Sequence, residues 1–262
     1  MFCYQKNFVN PTLPVDEAQF WALVRATQWN ENIDKFRETH DAALKRKLPA
    51  FIFQATFDET TSKTGKQGQW RKQAATRLTG LVVMDVDHIP SSQFIVQSSE
   101  FASAEFKQKA AELGILLVYV TPSGEGLKIV FKARTEWGNL IDNQHQMAKV
   151  LGVEVDESCK DASRMSFICK ESDILYIDKE LFTYETKAFA ERYNQEYREG
   201  HSQGKAHPSP PQGRDVQSPD GVVSSNQTPP PLEGLGEALP SEGLGEALTW
   251  RGYDVQSIID AR

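Results

Sequence analysis

The chain has 262 residues, 39% apolar and 25% charged, a balance that suits a soluble globular protein with room for one large domain or two small ones. Its first residues show no basic flank followed by an apolar core, and no apolar run approaches the ~18 residues that span a bilayer, so the expectation is a cytoplasmic protein with no membrane partner. The net charge of −7 argues against a uniform nucleic-acid-binding surface, but residues 191–262 alone carry 6 basic and 11 acidic side chains, leaving the first 190 close to balance.

Residues 15–46 read as two helices, with Val15, Ala18, Phe20, Trp21, Leu23 and Val24 at helical spacing and Asp16 and Glu17 in a first turn. Residues 51–57 read as one strand. Residues 58–70, rich in Gly, Lys, Thr and Gln, read as a mobile loop. Lys63, Lys66, Arg71, Lys72 and Arg77 follow one another over residues 63–77 with no acid among them. Residues 81–86 form a buried strand, 102–113 a helix stopped by Gly114, and 116–121 and 127–133 two strands joined by a glycine turn. A helix over 137–151, a short strand over 164–168 and a last helix over 179–197 complete the ordered part. Cys3, Cys159 and Cys169 are too far apart for a CxxC pair and read as free thiols. Interleaved short strands and helices point to an α+β or α/β layer with helices over a mixed sheet.

Three segments carry chemistry. In Leu81–Val82–Val83–Met84–Asp85–Val86–Asp87–His88, strand alternation puts Asp85 and Asp87 on one face and Val82, Met84 and Val86 on the other. Carboxylates ~7 Å apart on a strand repel and resist desolvation unless a cation joins them, and a hard divalent ion with oxygen ligands does so. A lone DxD also occurs where a strand simply ends in water; the apolar lead-in favours a core strand ending in a site. The same alternation turns His88 away from the acids.

The second segment, Thr121–Pro122–Ser123–Gly124–Glu125–Gly126–Leu127–Lys128, is a turn whose glycines permit close backbone approach and whose N–H groups suit phosphate oxygens. Leu127, Ile129 and Phe131 would face the core and Lys128 the other side. Taken alone, the turn is better explained by ordinary hairpin chemistry with a solvated lysine. The third segment runs Val155–Asp156 through Asp161 to Arg164–Met165–Ser166–Phe167. Asp156 supplies a third carboxylate, Arg164 a phosphate clamp, and Asp161 either an orienting partner of Arg164 or a turn cap. Met165 and Phe167 would be core, with Arg164 and Ser166 on the opposite face.

The order of these segments resembles the archaeo-eukaryotic primase/polymerase superfamily. More closely it resembles the VirE N-terminal, or BT4734-like, domain family of Bacteroides-type mobile elements, through GLVVMDVDHI, VTPSGEGLKIVF and VDESCKDASRMSF over roughly residues 50–170. The resemblance implies an α+β, RRM-like palm with a mixed, mainly antiparallel sheet covered by helices. It implies that Asp85, Asp87 and Asp156 are catalytic and bind Mg²⁺ or Mn²⁺. It makes Ser123, Gly124, Gly126, Lys128 and Arg164 nucleotide-binding. Lys128 stands where the superfamily motif has a histidine; it can contact phosphate but does not change charge near pH 7. Lys66, Trp70, Arg71 and Lys72 suit a single strand, by backbone attraction and stacking.

The resulting expectation is a primase/polymerase-like domain over 1–198, a disordered Pro/Ser/Gly-rich linker over 199–248 containing EGLGEAL twice, and a short amphipathic segment over 249–262 that starts a further module. The expected function is metal-dependent nucleotidyl transfer in mobile-element replication. The expected partners are nucleoside triphosphates, a single-stranded DNA or RNA template and a helicase or other replication protein. Three other readings stand beside it: an inactive nucleotide- or nucleic-acid-binding module, a metal-dependent nuclease, and an interaction protein acting through its tail.

Overall fold

The structure, a computed structural model, describes residues 1–87, 101, 103–153 and 157–202. His88, Asp156 and the tail from 203 onward, including the linker, the EGLGEAL duplication and the 249–262 segment, lie outside the described residues. The chain opens with strands β1 (Phe2–Gln5) and β2 (Thr12–Val15), then helices α1 (Glu17–Arg25), α2 (Thr27–Thr39) and α3 (Ala42–Arg46). Strands β3 (Ala50–Ile52), β4 (Ala55–Phe57), β5 (Thr60–Thr61), β6 (Gln67–Gly68), β7 (Thr76–Leu78) and β8 (Leu81–Val86) follow. Helix α4 (Ala104–Leu113) precedes the hairpin β9 (Ile115–Val120) and β10 (Leu127–Lys132). Helix α5 (Leu140–Leu151), β11 (Ser166–Phe167), β12 (Ile174–Ile177) and α6 (Lys187–Ser202) end the described chain.

The arrangement is α+β, with antiparallel sheets covered by helices. Every strand pair among the described residues is antiparallel, so the sheets are not mixed. The principal sheet has the order β12-β9-β10-β8, and a second runs β11-β3-β1-β2. Both faces of the principal sheet are buried, which is why β8, β9 and β10 read as near-continuous apolar runs. On one face Val82, Met84, Val118, Ile129 and Phe131 meet Ala110 of α4, Met147 and Ala148 of α5 and Phe189 of α6. On the other Leu81, Val83, Leu117, Tyr119 and Val130 meet Phe20 and Val24 of α1, Ile33 of α2, and Phe2 and Phe51 of the second sheet. A bulge between Val130 and Phe131 shifts the β9 register, so Leu116 and Leu117 both face the second cluster.

Several sequence expectations need correction. The two helices of 15–46 are three, because Val15 pairs with Phe2 as the end of β2, and Asp41 caps a separate α3 by accepting from the Ala43 amide at 2.8 Å. The strand of 51–57 is two strands in different sheets. The chain crosses between them at Phe53–Gln54, where the Phe53 carbonyl accepts from Thr79 at 2.6 Å and Gln54 turns inward. Residues 58–70 contain the β5–β6 hairpin, whose turn is tied by the Ser62 hydroxyl accepting from the Thr64 and Lys66 amides. Thr135–Trp137 is a 3-10 turn, and α5 starts later, at Asn139, which forms a capping box with Asp142. The last helix starts at Lys187, after a 3-10 turn over Lys179–Phe182. Among the described residues no helix is long and apolar enough to cross a membrane.

Candidate functional site

The charged face of β8 is continuous with an apolar one. Leu81 and Val83 pack inward, and two residues on the same alternation places Asp85 at the edge of that cluster. Antiparallel register sets Lys128 of β10 directly opposite Asp85, and Tyr119 of β9 opposite Lys128. The Lys128 ammonium donates to Asp85 Oδ2 in a pair that is nearly closed to solvent, the two residues being 6% and 8% exposed. The Cys159 thiol lies 3.7 Å from the same oxygen. Asp85 Oδ1 is buried and has no hydrogen-bond partner among the described residues. Burial drives the Tyr119 hydroxyl pKa well up, with the buried cysteine Cys169 and Asp85 adding to it, so Tyr119 is a neutral donor, bonded to the Phe167 carbonyl at 3.2 Å.

The glycine turn lies over this pair. Gly124 has φ +79°, and Gly126 leaves no space for a side chain: a Cβ there would sit 3.0 Å from the Val86 carbonyl oxygen and 3.1 Å from Asp87 Oδ1. Gly126→Ala should therefore push the turn off the end of β8 and cost about 1–3 kcal/mol, read as a lower urea midpoint. An unchanged midpoint would mean that the turn yields freely. The turn is also held from outside by Arg37 of α2. Its Nε donates to the Pro122 carbonyl at 3.1 Å and Nη2 to the Thr121 carbonyl at 3.2 Å, while Asp173 fixes the guanidinium at 2.9 and 3.2 Å. The Ser123 and Thr121 hydroxyls are 3.0 Å apart.

The third segment is brought in by two buried amides. Gln54 Oε1 accepts from the Val83 amide at 2.8 Å, and its Nε2 donates to the Cys159 and Asp161 carbonyls, both at 3.2 Å. Gln144 of α5 donates to the Val83 and Cys159 carbonyls at 3.1 and 2.6 Å. Asp161 is a turn cap: its carboxylate accepts from Ser163 N, Ser163 Oγ and the Tyr197 hydroxyl at 2.8, 3.0 and 2.9 Å. Arg164 is exposed beyond it. Arg71 Nη1 donates to the Ser163 carbonyl at 3.2 Å; burial, with Arg164 close by, lowers its pKa, although Asp161 opposes the shift. The side-chain order at β11 differs from that expected: Ser166 is buried as well, while Met165 and Phe167 are half-buried, Met165 packed against the first cluster and Phe167 against the second, and both also line the cleft.

One cleft of about 450 Å³ takes in Asp85, Asp87, Ser123, Lys128, Arg71 and Arg164, together with Thr121, Lys45, Phe8, Met165 and Phe167. Lys66, Trp70 and Lys72 are not among its lining residues. The Trp70 indole donates to the Lys66 carbonyl at 2.9 Å and the Lys72 ammonium to the Thr61 carbonyl, so both serve their own hairpin. Gly124 and Gly126 shape the turn rather than the cleft wall. Among the described residues no group of three His, Cys, Asp or Glu side chains gathers as a metal site; Asp156 lies outside them. Sequence reasoning missed Arg37, Gln54, Gln144, Lys45 and Phe8. An arginine, a glutamine or a lysine on a short helix or strand looks like any solvated side chain until its long-range partner is known.

The family model described as BT4734-like, N-terminal domain, matches residues 43–176, just over half of the chain. The chain belongs to the BT4734-like N-terminal domain family. The BT4734-like match runs from α3 to β12 and so includes all three chemistry-bearing segments, while Phe8 and Arg37 precede it. No curated protein and no solved structure matches the chain.

Proposed function

We propose that this BT4734-like domain is a metal-dependent nucleotidyltransferase of primase/polymerase type, acting on nucleoside triphosphates and a single-stranded template in the replication of a mobile element. The observation that carries the reading is the cleft itself. Acidic strand end, glycine turn and arginine loop are remote in the chain, yet Asp85, Asp87, Ser123, Lys128, Arg71 and Arg164 line one concavity. Carboxylates beside phosphate-binding cations are the chemistry that phosphoryl transfer requires.

Asp85 and Asp87 fit Mg²⁺ or Mn²⁺: the donors are all oxygen, Asp85 Oδ1 is buried without a partner, and the Asp87 side chain is exposed to the cleft. Asp156 is the third ligand implied by the family resemblance. When bound, such an ion supplies Lewis-acid charge that favours ionisation of an attacking hydroxyl and departure of pyrophosphate. The remaining work falls to the chain's own groups. Lys128 takes one Asp85 oxygen and leaves the other, buried and without a partner, as a donor for the ion. Ser123 and the turn amides bind phosphate oxygens, and Arg71 and Arg164 clamp phosphate and offset charge on the transferred group.

A second reading has a specific support. Lys128 already neutralises Asp85, which weakens the electrostatic demand for a cation and favours a nucleotide- or nucleic-acid-binding module without catalysis. The test is incubation of the full chain with Mg²⁺ or Mn²⁺, labelled nucleoside triphosphates and single-stranded DNA, with and without primer, beside Asp87→Asn. Asp87 is exposed, so this variant keeps its fold. Metal-dependent extension that falls by at least ~10²-fold in the variant is the expected result. Nucleotide binding without any product favours the binding module, and shortened strands indicate a nuclease.

A further inference from the structure

The cleft is lined by two chemically different sets of side chains, and the charged set explains only half of it. Asp85, Lys128 and Arg164 suit a metal–phosphate group, but Phe8, Met165 and Phe167 line the same space and do nothing for phosphate. Phe8 is the more telling of these. It lies in the β1–β2 turn, where the Asn7 side chain accepts from the Val9 amide at 3.1 Å and the Asn7 carbonyl from the Asn10 amide at 3.2 Å. That turn presents Phe8 at 56% exposure, away from both cores. The strand leaving the turn is tied to the chain just ahead of Arg71, because the Thr12 amide and hydroxyl both donate to the Gln69 carbonyl at 2.8 Å. An exposed phenyl ring on an anchored turn keeps apolar surface in water that a flat apolar ligand would cover. Across the cleft the Lys45 ammonium stands 5.8 Å from the Phe167 ring centroid, so this second ring has a cation at its face.

From this division we infer that Phe8, with Met165 and Phe167, forms the subsite that holds the nucleobase of a nucleoside triphosphate whose phosphates lie toward Lys128 and Arg164. The inference rests on the nucleotide reading of the cleft and adds the part of the ligand that reading leaves unplaced. A cleft of about 450 Å³ is of the size that encloses one small ligand, and an apolar wall with a few convergent polar groups is the usual composition of such a site. A base stacks on an aromatic ring through its π-face, so Phe8 would favour bases over bare phosphate without choosing among bases.

The test is calorimetric titration of the full chain in Mg²⁺ buffer with ATP, with inorganic tripolyphosphate and with a single-stranded oligonucleotide, for the native chain, Phe8→Ala and Phe8→Trp. Phe8 is exposed, so neither variant disturbs the core. The expected result is an ATP affinity about 5- to 100-fold weaker in Phe8→Ala, restored in Phe8→Trp, with tripolyphosphate affinity unchanged in both. Equal weakening of ATP and tripolyphosphate, or no change in either, overturns the base subsite while leaving the nucleotide reading standing. Loss confined to the oligonucleotide overturns it in favour of a strand-stacking role. Failure of the native chain to bind either triphosphate overturns the nucleotide reading and the subsite together.

Discussion

Asp85→Ala should lose about 3–5 kcal/mol of stability, because it leaves the Lys128 ammonium buried without its counter-charge. Lys128 is 6% exposed, and its neighbours on the sheet are Tyr119 and the apolar side chains of β8 and β10, none of which carries a negative charge. Lys128→Met should cost less than the acid's removal if cleft water or a cation then serves Asp85, and the double variant Asp85→Ala/Lys128→Met should recover most of the loss, since an apolar pair needs no desolvated charge. Urea denaturation of the four proteins measures the coupling directly. A single Asp85→Ala variant within ~1 kcal/mol of the native chain would show that the ammonium escapes to water and that the pair does not organise the site. The expected instability also makes Asp87, rather than Asp85, the residue for a catalytic test.

Gln54→Leu is the second large effect, about 1–3 kcal/mol, the cost of leaving the buried Val83 amide without a partner. Gln54 is 1% exposed and joins the Val83 amide to the Cys159 and Asp161 carbonyls, with Gln144 bonded to its oxygen at 3.1 Å. Leucine fills the volume but leaves the Val83 amide unpaired, while the Cys159 and Asp161 carbonyls keep the Gln144 side chain and the Arg164 amide as donors. The consequence should reach the cleft, because the segment carrying Asp161 and Arg164 is held to β8 through this amide. Faster hydrogen exchange at the Val83 amide and weaker ATP binding at a temperature where the fold persists are the two measurements. Exchange at Val83 as slow as in the native chain would mean that the sheet protects that amide without Gln54.

The parts of this protein that could be read in advance are those with local cause. The strand over 81–86 and the helices read over 102–113 and 137–151 announce themselves by apolar periodicity and by the Gly114 stop, although the Asn139 cap that starts α5 was missed. Strand alternation alone was enough to put Asp85 on the side opposite Val82 and Met84. The weakest readings fell on short edge strands. β1 and β2 of four residues each, β7 of three and β12, whose Ile174–Ile177 are all half-buried, show no alternation long enough to separate from a loop. The same shortness hid the burial of Ser166 in β11, a strand of two residues.

Side-chain chemistry was therefore set along the chain, and its assembly was not. The sequence by itself determined which segments hold carboxylates, glycine-turn amides and guanidinium groups, because residue type and strand period are local properties. Only the tertiary structure decided that Lys128 stands against Asp85, that Arg37 holds the glycine turn, that Gln54 and Gln144 bind the arginine loop to β8, and that Phe8 lines the same cleft. Each of these joins residues far apart in the chain through register or a buried hydrogen bond, and such partners are chosen by the packing of the two cores rather than by any neighbour in sequence.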